Sequence, residues 1–215
     1  MVEGDSLRGA LTGDRIVSVA IDLIEREGVE ALSMRRIAAD LGVAAMSLYY
    51  HVPNKAALLE AVAERIVDGI DYADDPALDP EERARRLMRA FRKVAHDHPR
   101  CVQLVLVQGS VSPATLRLME ETLTVARAAG FEGVQAARVA QTFVSYALGS
   151  LVREAKAQQA LAEIPQGLDV KGWLGGLDPS VYPSLAELAE HYLRVDPEGE
   201  FEFGLELLIR GLRDS

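Results

Sequence analysis

A single cysteine, Cys101, stands in 215 residues, so the chain has no intrachain disulfide available, which fits a reducing cytoplasm. Long apolar runs are also missing. The longest, Leu104 to Val107 with its neighbours, falls far short of the roughly 20 residues that cross a bilayer, and no membrane partner is expected. The opening MVEGDSLRGALTGD has acids where an export signal needs a basic start and an apolar core, so export is not expected either. The four histidines, His51, His96, His98 and His191, do not recur with cysteine or carboxylate at metal-ligand spacing, and His96 and His98, two apart on a helix, point to different faces. Neither a glycine-rich phosphate loop nor a nucleophile motif occurs. These absences point away from an enzyme, a cofactor and a metal. Cys101 could serve as a redox or metal sensor, but a small buried thiol is the commoner role. Positive charge is scarce as well: 23 Lys+Arg face 33 Asp+Glu, a net charge of −10, and such a chain should be repelled by phosphate unless its cations are gathered locally.

They are gathered locally between Ser33 and Lys55, where Arg35, Arg36 and Lys55 face one acid, Asp40. This stretch, with its flanks, reads ALSMRRIAADLGVAAMSLYYHVPNKAALL from Ala31 to Leu59. Ser33 is a hydroxyl N-cap for a first helix from about Met34 to Asp40, whose Ile37, Ala38 and Leu41 are apolar. Leu41-Gly42-Val43 is the turn, with glycine free to take positive φ. A second helix, Ala44 to His51, points Leu48 inward and leaves Ala45, Met46, Ser47, Tyr49, Tyr50 and His51 to be shared between packing and an outside surface. A third follows from Asn54 to Ile70, with Leu58, Leu59, Val62, Ile66 and Ile70 on one stripe. Two short helices about a tight turn, then a third, outline a helix-turn-helix DNA reader.

The ordered set of Ser33, Arg35-Arg36, Ala38, Leu41-Gly42-Val43, Leu48-Tyr49-Tyr50-His51-Val52 and Asn54-Lys55 resembles the tetracycline repressor (TetR) family of bacterial transcription regulators. The aromatic-aromatic-His ending followed by Asn-Lys is the specific part. The resemblance implies base contact by Arg35. Arg36 would be a solvated or phosphate-facing charge, Ser33 and Lys55 would position the head on phosphates, and Tyr49, Tyr50 and His51 would offer hydroxyls and an imidazole to the DNA backbone, unless Tyr49 is core. Ala44, Ala45 and Met46 depart from a polar base-reading turn. Specificity should therefore lean on Arg35, Ser47, thymine-methyl contacts and DNA shape.

Elsewhere the chain reads as all-α. Asp14 to Glu27 is amphipathic and closed by Gly28; acids and two prolines in DYADDPALDP, residues 71–80, mark a boundary between a DNA-binding domain at 1–70 and a helical ligand-binding and dimerisation domain at 71–215. Helices are expected over Glu81–His98, Pro99–Gln108, Pro113–Ala129, Glu132 to about Gln159, Tyr182–Leu193 and Pro197–Leu212, with a glycine-rich mobile loop from Ile164 to Ser180. The basic run Arg83, Arg85, Arg86, Arg89, Arg92, Lys93 is most simply a solvated face.

On the last helix, Phe201, Gly204-Leu205, Leu208 and Gly211-Leu212 recur at helical spacing, either as packing within one subunit or as a self-complementary dimer face. The similar Phe-x-Phe-Gly-Leu-Glu ending of the tetracycline-binding relatives implies the latter, a four-helix homodimer interface. A twofold dimer reads a palindromic operator in double-stranded DNA. The resemblance further implies a repressor that releases its operator when a small-molecule effector enters the helical body. Phe91, Leu104, Val107, Met119, Phe143, Leu148 and Leu151 are the candidate lining, with Gln108 or Trp173 as polar or gating additions, and plain core is the alternative for each. Tetracycline itself is a poor fit. The relatives' ligand histidine falls at or near Asp71 and no histidine occurs between His98 and His191, so a hydrophobic effector without magnesium is expected. The rival functions are an activator or architectural protein without an effector, and a ligand carrier that has lost DNA binding.

Overall fold

The computed structural model describes residues 10–107, 113–163, 172, 175–192 and 196–213. Among these the regular elements are helices: α1 (Gly13–Glu27), α2 (Met34–Leu41), α3 (Ala45–Tyr49), α4 (Lys55–Asp68), α5 (Pro80–Asp97), α6 (Pro99–Val107), α7 (Pro113–Ala128), α8 (Gly133–Glu163), α9 (Pro183–Tyr192) and α10 (Pro197–Arg213). No described helix is long and apolar enough to cross a membrane. Two compact units result, residues 1–141 and 142–215.

In the first unit the starts of the helices are set by short polar side chains. Thr12, Ser33, Asn54 and Asp79 each accept from a backbone N–H in the first turn of α1, α2, α4 and α5. A 3₁₀ turn, Val29–Ala31, absent from the sequence reading, carries the chain from α1 to α2. α1 packs on α2 and α4, and α2 on α3, over a core in which Ile16, Leu23, Ile24, Ile37, Leu48, Leu58 and Val62 are fully enclosed. Burying each such side chain contributes about 1.5–3 kcal/mol. α4 continues from this head into packing with α6 and α7, so one element touches both the head and the helices behind it.

The expected solvated basic face of α5 is corrected at two positions. Arg83 and Arg92 are only 7% and 6% exposed. They fall on the stripe of Ala84, Leu87, Met88, Phe91, Val94 and Ala95, which packs against α6 and α7. Arg86, Arg89 and Lys93 remain outside.

In the second unit, Phe201, Leu205 and Ile209 stand one turn apart on the buried face of α10. The Tyr146 ring of α8 stacks on Phe201 at 5.7 Å, and its hydroxyl donates to the Phe201 carbonyl at 2.7 Å. A Cβ at Gly204 would lie within 2.3 Å of that hydroxyl, so glycine is what lets the tyrosine seat. Of the expected loop at 164–180, residues 164–171, Trp173 and residue 174 lie outside the described residues. The described remainder includes a helical bond from the Gly176 N–H to the Gly172 carbonyl and a turn at Asp178, which accepts from both the backbone and the hydroxyl of Ser180.

Candidate nucleic-acid interface

The reading surface is built from two short helices and the turn between them. Ser33 caps α2, its Oγ accepting from the Arg36 N–H at 3.2 Å. α2 ends at Gly42, whose φ of 67° and ψ of 34° are left-handed. The Gly42 N–H reaches the Ala39 carbonyl and the Val43 N–H the Ala38 carbonyl, a pair of bonds that closes the helix and turns the chain. A side chain at Gly42 would be strained in that conformation. α3 then runs for five residues, shorter than the Ala44–His51 expected. Ala44 is its N-cap and offers no side-chain acceptor, while Pro53 biases the preceding residue to extended backbone and ends the segment. Ala44→Ser should supply the missing cap and raise unfolding stability by about 1 kcal/mol. A chemical-denaturation midpoint that does not rise would refute the assignment.

Leu48 is fully buried and anchors α3 to the head, which leaves Met46 at 71%, Tyr49 at 46% and Tyr50 at 88% exposed. Ala45 and Ser47 are half-buried, and His51 is exposed. Tyr49, which the sequence left open between core and surface, is on the surface. Arg35 and Lys55 are exposed and form no hydrogen bond or ion pair among the described residues, so both cations are available. Arg36 is not available in the same way. Its Nη2 donates to Glu27 Oε1 at 2.8 Å and its Nε to Asp40 Oδ1 at 3.2 Å, with Arg26 3.8 Å from each of those carboxylates. That exposed four-charge cluster joins the end of α1 to α2 and uses up Arg36, leaving Arg35 as the free cation of α2.

Polar ties brace the head internally and connect it with the helices behind it. Glu25 of α1 accepts the Cys101 N–H at 2.8 Å and the Arg100 N–H at 3.3 Å, capping α6 from a distant part of the chain. Arg65 of α4 donates to Asp14 of α1 at 2.5 Å. Arg117 of α7 donates to Glu64 at 2.7 Å and Asp68 at 3.0 Å, both on α4. Beneath Glu25, Cys101 is fully enclosed; burial pushes its thiol well above the usual range and the neighbouring carboxylate adds to that, so the thiolate is suppressed.

The candidate ligand residues do not share one environment. Phe91 and Leu104 are buried in the first unit, where α5 packs on α6, and Phe143 is buried on α8. Leu148 and Leu151 are half-buried. Met119 is 58% exposed on α7, outside the core of its unit. The side chain of Val107 and the whole of Gln108 lie outside the described residues. For the candidate dimer stripe, Phe201 and Leu205 belong to the core of their own unit, and Gly204 is explained by Tyr146. The outward line of α10 is instead Phe203, 69% exposed, Leu207, 52% exposed, and Gly211, with Leu208 and Leu212 half-buried beside it. The distinguishing signal was present in the sequence only as two apolar stripes on one helix, 201/205/209 and 203/207/211, and spacing does not rank them.

Two family models match this chain. One, described as bacterial regulatory proteins, tetR family, covers residues 16–62, and the other, described as tetracyclin repressor-like, C-terminal domain, covers residues 74–215. The chain is 31% identical over 217 residues to the HTH-type transcriptional repressor DrrR1 of Streptomyces coeruleorubidus, covering 94% of this chain and 77% of that one. It is similar to the Streptomyces coelicolor TetR family protein ActR in complex with (S)-DNPA, with a TM-score of 0.75 at 27% identity, covering 96% of this chain and 98% of that one. It is also similar to the Mycobacterium smegmatis protein BioQ, solved with its natural double-stranded DNA operator, with a TM-score of 0.64 at 25% identity over 96% of this chain and 100% of that one. With residues 16–62, from α1 into α4, matching the first model and residues 74–215 matching the second, the chain belongs to the TetR family of bacterial transcription regulators.

Proposed function

We propose that this protein is a cytoplasmic repressor that binds a palindromic operator as a homodimer and is released by a small, largely hydrophobic effector. The observation that carries the reading is the exposure of Arg35, Met46, Tyr50 and Lys55 around a buried Leu48, on a head whose α4 also packs on α6 and α7. Residues 1–70 then act as the DNA-binding domain, and 71–215 as the ligand-binding and dimerisation domain. Arg35 reads a guanine edge, Ser33, Lys55, Tyr49, Tyr50 and His51 hold phosphates, and Arg36 braces the head through Glu27 and Asp40. The net charge of −10 weakens attraction to arbitrary DNA, so the contacts at the head supply the discrimination. ActR, solved with (S)-DNPA and with actinorhodin, supports a small-molecule effector in the helical body. BioQ with its operator supports the docking of the head.

The test is selection of sequences from a random duplex library by the purified full-length protein, followed by fluorescence anisotropy on the selected duplex. A palindrome bound with strong salt dependence is expected, and then its release by one or more members of an apolar small-molecule panel. Absence of sequence-dependent retention at low salt overturns the reading. Arg35→Ala should lose discrimination at one symmetric base pair, each contact being about 1–3 kcal/mol. Unchanged base preference in the variant would remove that role from Arg35.

A further inference from the structure

Met46 is, apart from Tyr50, the most exposed large apolar side chain among the described residues of the head, and it sits on the outward side of α3 with Tyr49 and Tyr50 one helical turn further on. On its N-terminal side, hydrogen-bonding capacity is missing. Ala44 and Ala45 precede it, Leu48 is turned fully inward, and the segment from 44 to 46 carries no side-chain donor and only a thioether as a weak acceptor. Resting on the reading of α3 as the helix that enters the groove, we propose that Met46 recognises the C5-methyl group of a pyrimidine, thymine in the operator. Presence of that methyl, and not a donor-acceptor pattern, is then the sequence signal at its base pair.

The physical argument is one of compensation. Every base edge on the floor of the major groove presents donors or acceptors that are hydrated in free DNA, and only thymine carries an apolar methyl group beside them. A thioether side chain laid over a guanine, cytosine or adenine edge removes that water and returns no hydrogen bond, which is unfavourable. The thymine methyl is the one apolar group there, and covering it with Met46 removes apolar surface from water on both partners. An unbranched side chain with a polarizable sulfur can settle on a methyl without the helix being placed to a fraction of an ångström. Tyr49 and Tyr50, both exposed, hold hydroxyls at the flank where phosphates run, so the polar contacts and the apolar one are divided between two ends of the same short helix.

The experiment uses the full-length protein and the duplex it selects. Each thymine is replaced in turn by deoxyuridine, which deletes the methyl and leaves the hydrogen-bonding pattern unchanged. At one position of the half-site, replacement in a single half-site should weaken binding by about fourfold, and in both half-sites together by about fifteenfold, the effect of one and two methyl groups left uncovered. Met46→Ala should bind the thymine operator more weakly and make no distinction between thymine and deoxyuridine at that position. Because Met46 is exposed, the variant folds, and a drop in affinity that is equal for both duplexes would expose a merely structural role and overturn the proposal. So would a selected operator in which no deoxyuridine has an effect, or a penalty that persists in full in Met46→Ala. If the wild-type protein selects no sequence at all, it is the reading of α3 as a DNA reader that fails, and this proposal with it.

Discussion

In the homodimer proposed above, replacing Phe203 and Leu207 together by glutamate should convert the protein to a monomer at micromolar concentration and weaken its hold on a palindromic duplex by roughly 100- to 10,000-fold, the avidity that a second linked head contributes. These two side chains stand 69% and 52% exposed at i and i+4 on α10. An exposed phenylalanine and leucine in line with a glycine present an apolar strip with room for a close neighbour. In a twofold interface each such residue is used twice, once on either copy. Four buried carboxylates at the centre of that interface would lack partners, which is why the double substitution is decisive where a truncation to alanine is graded. Neither residue is packed inside its unit, so helicity and the unfolding midpoint of the monomer should change little. Sedimentation velocity reads the oligomeric state and anisotropy the affinity for whole and half operators. A variant that remains dimeric would show that α10 meets the partner through another face, and a monomer that keeps full operator affinity would break the link between dimerisation and reading.

How far the sequence was legible depended on how local the physics was. The head was legible in detail because its signals act within a turn of helix: Ser33 and Asn54 cap the helices that begin one residue later, and Gly42 takes the left-handed conformation that the turn demands. The order of the long helices was legible from periodicity, with ends displaced by a few residues. What could not be read were pairings between distant segments. That Arg36 is held by Glu27 depends on where α1 ends against α2, and that Glu25 caps α6 depends on a contact 75 and 76 residues along the chain. A row of arginines on α5 looked solvated because charge is normally outside, yet Arg83 is enclosed, since the acid that neutralises it, Asp74, comes from the preceding loop. On α10 both stripes were apolar, and only the seating of Tyr146 against Phe201 and Gly204 separates the inner from the outer one.

That enclosed arginine is the largest single stability effect expected within the body. Arg83 donates to both oxygens of Asp74, from Nε at 2.7 Å and from Nη2 at 2.6 Å, and the Tyr72 hydroxyl donates to the same carboxylate at 2.8 Å. Burial and Asp74 push Tyr72 up to about 12, so it stays protonated and donating. Burial alone would raise Asp74, but Arg83 and Tyr72 hold it below the usual carboxylate range. Glu121 on α7 is raised by burial and by Asp74 and Glu120, with Arg83 opposing. One guanidinium thus offsets the charge of a cluster that fastens the α4–α5 connection to α5 and faces α7. Arg83→Ala leaves the half-buried Asp74 carboxylate, 20% exposed, without its cation, which costs about 3 kcal/mol, the low end for a buried pair. At two to four degrees per kcal/mol for a chain of this size, Tm should fall by about 6–12 °C. The pH dependence fixes the cause. Because the folded protein depresses the Asp74 pKa, its stabilising contribution is present above the unfolded value of about 4 and is lost as pH falls through the lower folded value. Wild type should therefore lose stability in acid over that window while the variant loses less, and the gap between them should narrow as pH drops below about 4. A gap that is constant from neutral pH into that range would mean that Arg83 acts through packing of its side chain, and that the ion pair with Asp74 contributes nothing to holding the connection in place.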